Sequence, residues 1–102
     1  MEKTIKIGDQ SVQVKVCAST AIRYQQVYGE HIDKTMFDMA RKSTGEYGGG
    51  MYEGAAKLLY IMAWHCNPKL ELNQEAAMKW LDSLDPLDAN ALTEILTLFF
   101  RK

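Results

Sequence analysis

The most continuous apolar stretch of the chain covers residues 54–66, and Lys57 is its only fully charged residue. The stretch is rich in Ala, Leu and Met, which favour helices, and Pro68 follows soon after its end. From Leu58 onward, apolar residues cover every side of a helical wheel, which is typical of a helix that is buried all round. The stretch is shorter than the roughly 20 residues that cross a membrane. The pattern therefore predicts a central buried helix around residues 53–66 and no membrane segment.

Strict alternation of apolar and polar residues marks the segment 3–17. Its two halves flank a short polar stretch, which predicts a β-hairpin. With Asp9 and Gln10 at the tip, Ile7 would face Val12, and the branched apolar residues would share one face of the hairpin. A lone hairpin is only marginally stable, so we expect this face to lie on helices.

Apolar residues at helical spacing occupy most of residues 19–100. Besides the central helix, four helices are predicted, each beginning near a residue that favours an N-cap: Ser19, Asp33, Asn73 and Asp85. In the first of them, Ala21, Tyr24 and Tyr28 share the apolar face with Ile22 beside them, and Gly29 is the expected end. The sequence thus predicts an α+β fold in a single domain, residues 1–102, with the hairpin packed on about four to five helices.

A glycine-rich segment, residues 43–50, interrupts the helical pattern with four glycines in eight residues. Glycine loses more backbone entropy on folding than any other residue, so a flexible loop is predicted here. A phosphate-binding loop is the alternative. The segment lacks the Lys-Ser/Thr pair of a P-loop and does not follow a predicted strand, which argues against it.

The charge balance narrows the class of partner. The net charge is −1 and the sequence pI is near 6.1, so the strong basic character of most nucleic-acid-binding domains is missing. Binding of nucleic acid would require that basic residues distant in sequence lie on one face of the protein. These residues are Lys3, Lys6, Lys15, Arg23, Arg41 and Lys42. The start of the chain does not resemble a signal peptide, so two reduced thiols and a cytoplasmic location are expected.

The residues that could carry chemistry do not form a constellation. His65 and Cys66 are adjacent, and neighbours on a helix point about 100° apart, so they cannot share one metal ion. Cys17 and His31 add no paired ligand spacing. No G-x-S-x-G motif is present, and carboxylate pairs fall at helix ends, where capping explains them. We therefore expect no enzyme activity, no cofactor and no metal, and a partly buried His65 favoured as a cation at its helix end.

Methionine is abundant, with six in 102 residues. Its flexible side chain adapts to irregular partners, but it also fills cores, to which Met62 and Met78 are assigned. The candidate partner-binding residues are the methionines and tyrosines around the glycine-rich segment and the last two phenylalanines: Met36, Met39, Tyr47, Met51, Tyr52, Phe99 and Phe100. Two alternatives stay open. Met51 and Tyr52 could simply begin the central helix, and the apolar C-terminal tail could either dock on the domain or mediate self-association.

Four stretches, in this order along the chain, carry a family resemblance: residues 17–32, 55–70, 80–82 and 95–100. In the first, Tyr24 and the pair Tyr28-Gly29 match the family pattern, and the second ends at Asn67-Pro68. Together with the preceding hairpin, they resemble the tail assembly chaperone family of long-tailed bacteriophages and prophages.

The resemblance implies a small non-enzymatic α+β protein of viral morphogenesis. Such proteins act in the host bacterial cytoplasm and are not expected in the mature virion. They bind the tape measure protein, keep it soluble and help to recruit the tail tube protein. The alternative function is that of a small phage or bacterial protein–protein adaptor or regulator.

Overall fold

The computed structural model describes residues 2–32 and 49–100. Two strands come first in the chain, β1 (Glu2–Ile7) and β2 (Gln10–Lys15). Four helices follow: α1 (Thr20–Tyr28), α2 (Gly49–Cys66), α3 (Gln74–Asp82) and α4 (Ala89–Phe100). The predicted α+β class, a hairpin followed by helices, is confirmed. The helix predicted after Asp33 lies outside the described residues, as does most of the predicted loop.

The hairpin turns at Gly8-Asp9 and not at the predicted tip. Ile7 therefore pairs with Gln10 instead of Val12, a shift of two residues. The reason is Gly8, whose φ of 61° suits the first central position of a two-residue turn. Because side chains alternate with a period of two, this shift keeps the same face inward. The buried residues on that face are Ile5, Ile7, Val12 and Val14.

Helix α2 forms the centre of the core. Its six consecutive residues from Leu58 to Ala63 are all buried, which confirms the predicted all-round burial. It contacts β2, α1, α3 and α4, so the hairpin and the other helices surround it. The helix begins at Gly49, four residues before the predicted start at 53.

Helix α1 is rotated relative to its predicted face. Ala21 is exposed and Ile22 is 61% exposed, whereas Thr20, Tyr24 and Val27 are buried. The rotation follows from Thr20, whose hydroxyl oxygen accepts a hydrogen bond from the Cys17 N–H at 2.8 Å and is held inward. The helix ends as predicted at Gly29, with φ of 70° and its N–H bonded to the Gln25 carbonyl.

The start of α4 also differs from the prediction. Asp88, not Asp85, caps the helix, since its carboxylate accepts from the Ala91 N–H at 2.8 Å. Asp85 instead fastens the hairpin turn, where its carboxylate accepts from the Asp9 N–H at 3.1 Å. A Cβ atom at Gly8 would lie 2.1 Å from Asp85 Oδ2, so the turn and this carboxylate are in close contact.

The end of α4 docks on the domain. Ile95 and Leu98 are buried, and Phe99 is half-buried against the core. Helix α4 contacts both α2 and β1. Of the two alternatives for the apolar tail, docking accounts for these three side chains.

Candidate protein-binding groove

An apolar groove of about 480 Å³ lies beside the N-terminal half of α2. The end of α1 forms one side of it and α3 the other. We call it the apolar groove, and its main lining residues are Tyr28, Ala56, Lys57, Ala77, Met78 and Leu81. Its volume is that of a typical ligand or peptide side-chain site.

Tyr28 fixes the side formed by α1. The helix ends directly after it, and its hydroxyl donates to the Lys57 carbonyl at 3.2 Å, which ties α1 to α2. Its ring packs at a tilt of 53° against the Tyr24 ring, with centroids 4.8 Å apart. Burial, and secondarily the nearby Tyr24 and Tyr60 hydroxyls, raise the pKa of Tyr28, so it remains a neutral hydrogen-bond donor.

Lys57 is the cation of the rim. Its ammonium lies 3.2 Å from a Glu30 carboxylate oxygen and 3.6 Å from one of Glu53, and it also lies 5.3 Å from the Tyr28 ring centroid. Such partly exposed ion pairs add little stability, about 0–1 kcal/mol each. The Glu53 side chain is 68% exposed, so the rim presents a carboxylate that favours a partner with basic residues beside its apolar ones.

Helix α3 forms the side of the apolar groove opposite α1. Asn73 caps it as predicted, with its side-chain oxygen accepting from the Ala76 N–H at 2.7 Å. Ala77 and Leu81 lie one turn apart, so both face α2, and Ala77 is buried. Met78 is next to them and is 59% exposed. The prediction that Met78 is an ordinary core residue is therefore wrong.

The predicted partner-binding residues fall in different places. Met36, Met39 and Tyr47 lie outside the described residues. Met51 belongs to the first turn of α2, and Phe100 ends α4. Tyr52 is 41% exposed and precedes Ala56 of the apolar groove by one helical turn. Phe99 packs against the core at the other end of the chain.

None of the residues that line the apolar groove was among the predicted partner-binding residues, and Met78 and Leu81 are the main apolar ones that were missed. A helical wheel of α3 places Met78 about 100° from Ala77, at the border of the apolar face. That border position is a usable signal for an exposed methionine. It cannot identify a groove, because the opposite wall comes from Tyr28, far away in sequence.

Of the residues considered for chemistry, His65 has a side-chain partner. His65 Nε2 lies 3.0 Å from Thr20 Oγ1. Burial, with Arg23 and Lys15 second, lowers the pKa of His65, so the expectation of a favoured cation is wrong: desolvation outweighs the helix end. Both cysteines are unpaired and half-buried, and burial raises the pKa of Cys66.

Residues 2–32 and 49–100 contain neither a candidate metal site nor a helix that could span a membrane. No group of three or more His, Cys, Asp or Glu side chains in this part of the chain could hold a metal ion. No helix there combines the length and hydropathy needed to cross a bilayer. Comparisons with protein-family models, curated proteins and solved structures give no match for the chain.

Proposed function

We propose that this protein is a non-enzymatic tail assembly chaperone that binds the tape measure protein and assists tail tube assembly in the host bacterial cytoplasm. The observation that carries the proposal is the apolar groove, an open concave surface with exposed Met78 on a rigid helical support. The resemblance of four stretches of sequence supplies the partner. No catalytic group is needed, because keeping a long apolar protein soluble requires only a surface that covers part of it.

The groove fits a short amphipathic helix of the tape measure protein. Such a helix places apolar residues at i, i+3, i+4 and i+7 into a hydrophobic groove of a partner. Ala77 and Leu81 would contact this apolar stripe, and Met78 would adapt to variable side chains along it. Basic residues beside the stripe would meet Glu53 at the rim.

This mode of binding suits a protein that later leaves the assembled tail. A few side chains in an open groove give a contact of modest area, and interfaces of small area are generally transient. Tail tube subunits would then displace the chaperone by covering the same apolar segments of the tape measure protein.

Co-expression with fragments of a phage tape measure protein tests the proposal. We expect fragments that are insoluble alone to become soluble and to co-purify. Met78→Ser should reduce this effect because it removes the exposed apolar contact. The matched control is Ile22→Ser, which changes an equally exposed apolar residue that does not line the groove.

Three results would count against the proposal. The first is that no fragment gains solubility. The second is equal loss of binding in both serine variants, which would move the binding surface away from the groove. The third is capture of a different partner with no effect on any tape measure fragment, which would favour an adaptor or regulator.

A further inference from the structure

A second groove of about 530 Å³ lies along β2, at the C-terminal end of α2. Four consecutive residues, from Gln10 to Gln13, line it. Successive residues of a strand point to opposite faces, so a groove that touches four in a row must follow the edge of the strand. Strand β1 occupies the other edge. We call this second site the strand-edge groove.

The edge inside this groove carries backbone groups without partners. In a two-residue turn the flanking residues, Ile7 and Gln10, form the hydrogen-bonded pair. Alternation along the ladder then turns the backbone groups of Val12 toward β1 and those of Ser11 and Gln13 outward. In the described part of the chain, no other backbone or side chain bonds to the N–H or C=O of Ser11 or Gln13.

The wall of the groove is partly apolar and is fixed in place. Leu70, Trp80 and Leu84 line it opposite the strand. Trp80 packs edge-on against Tyr60 of α2, with centroids 5.4 Å apart. At the turn end, the Gln10 side chain donates to the Ser83 carbonyl at 3.2 Å and accepts from the Asp85 N–H at 2.7 Å. The groove is therefore already formed before anything binds.

We propose that the strand-edge groove binds an extended peptide segment of another protein, which adds to β2 as a third strand. Only extended backbone offers N–H and C=O groups at the spacing of Ser11 and Gln13, because a helix uses its own groups internally. The inference does not depend on the proposed function, since this groove and the apolar groove have no lining residue in common.

The side chains of the groove define which peptide fits. Every second residue of the segment faces the wall of Leu70, Trp80 and Leu84 and is apolar, while those between face solvent and are polar. Asp85 lies at the turn end, bonded to Asp9, and Lys15 ends the strand. A basic residue at the turn end and an acidic one at the other complement these charges.

Semisynthesis tests the backbone contact without altering any side chain. A synthetic segment, residues 1–16, that carries an N-methyl group on Gln13 can be ligated to residues 17–102 through Cys17. The matched control carries the N-methyl group on Thr4, which pairs with Gln13 in the register and points outward on the opposite edge. Circular dichroism and thermal unfolding establish that both ligated proteins fold like the unmodified protein.

The probes are a display library of random linear peptides of about ten residues, long enough for one strand, and synthetic peptides that tile the tape measure protein. We expect selection of peptides with alternating apolar and polar residues. N-methyl-Gln13 should weaken their binding about tenfold or more, through a lost hydrogen bond and a steric block, and N-methyl-Thr4 should not. Hydrogen exchange at the Ser11 and Gln13 amides should slow in the complex.

The inference is overturned if no library peptide binds, or if both N-methylated proteins bind every selected peptide equally well. It is also overturned if the free protein is a dimer that N-methyl-Gln13 converts to a monomer, because a second copy would then occupy the edge. Library peptides that bind at the edge, while no tape measure fragment responds in co-expression, would leave this inference standing and remove the proposed function alone.

Discussion

The two grooves lie at opposite ends of α2 and offer a partner different chemical groups. The apolar groove, next to residues 53–57, presents the side chains of Met78 and Leu81. The strand-edge groove, next to residues 63–67, presents the backbone of β2. The first selects by the shape and apolarity of a partner's side chains, and the second by the extension of its backbone. One buried helix thus supports two modes of recognition that mutations can separate.

The largest loss of stability is expected from a substitution in α2, the helix that supports both grooves. Leu59 is fully buried in α2, so Leu59→Ala should lower the free energy of unfolding by about 2–5 kcal/mol through lost burial and a cavity. Urea denaturation measures the loss. Binding at both grooves should weaken together, and loss at only one of them would show that the two ends of α2 are stabilised separately.

A smaller effect is expected at the end of the strand-edge groove. Gly8→Ala places a Cβ on a residue with φ of 61° and against the Asp85 carboxylate. Backbone strain alone costs roughly 1–2 kcal/mol, and displacement of Asp85 adds to it.

The matched control is Gly29→Ala, which has a similar φ of 70° but no atom within 4 Å of the new Cβ. Only Gly8→Ala should weaken peptide binding at the strand-edge groove. Equal destabilisation in both variants, measured by urea denaturation, would mean that Asp85 contributes nothing to the turn.

Binding assays on both sites should give a crossed pattern. Met78→Ser should weaken an amphipathic helical partner and leave extended peptides unaffected, whereas N-methyl-Gln13 should do the reverse. Because Met78 is mostly exposed, its change in stability should stay within about 0.5 kcal/mol. Isothermal titration calorimetry of each partner against each variant measures the pattern. If one variant loses binding to both partners, the two grooves act as a single site.

The smallest expected effect is a pH dependence of the free energy of unfolding, which arises from His65 near the C-terminal end of α2. The folded pKa of His65 lies below its ordinary value of 6.5, so the unfolded chain takes up a proton at higher pH than the folded one. This contribution to stability is complete above about pH 6.5 and declines as the pH falls below it.

His65→Gln should flatten that decline in denaturation curves measured between about pH 7.5 and 5.5. In the same range, the protection of amides from hydrogen exchange should fall first near Cys66 and β2, because His65 lies next to that end. An unchanged pH profile in the Gln variant would assign the decline to other groups.

The sequence predicts some of these features well because they depend on local pattern. Residues 58–63 leave α2 no polar side, so burial on every face follows from composition. The inward face of the hairpin likewise follows from a period of two. The register does not, because it is set by the φ of Gly8 and by contact with Asp85, which is distant in sequence.

Neither groove could be predicted from the amino-acid sequence. Whether Met78 is core or surface depends on how far Tyr28 and α1 extend over α3, which is a matter of tertiary packing. A two-stranded hairpin packed on helices was predicted, but not the open edge of β2. The wall that makes this edge a site includes Trp80 and Leu84. Their spacing in the sequence predicts that they face the core, but it does not predict which residues lie next to them.

The bond between Asp85 and the hairpin turn has a consequence for how the protein is made. The carboxylate that holds the hairpin turn comes from Asp85, which lies 76 residues after Asp9, so the hairpin is synthesised well before it. Contacts of such long sequence separation form late and slow folding. A hairpin is marginal without its partners, so its Ile and Val face stays uncovered until the helices that pack against it are translated. A nascent chain that stops before Asp85 should therefore bind general cellular chaperones.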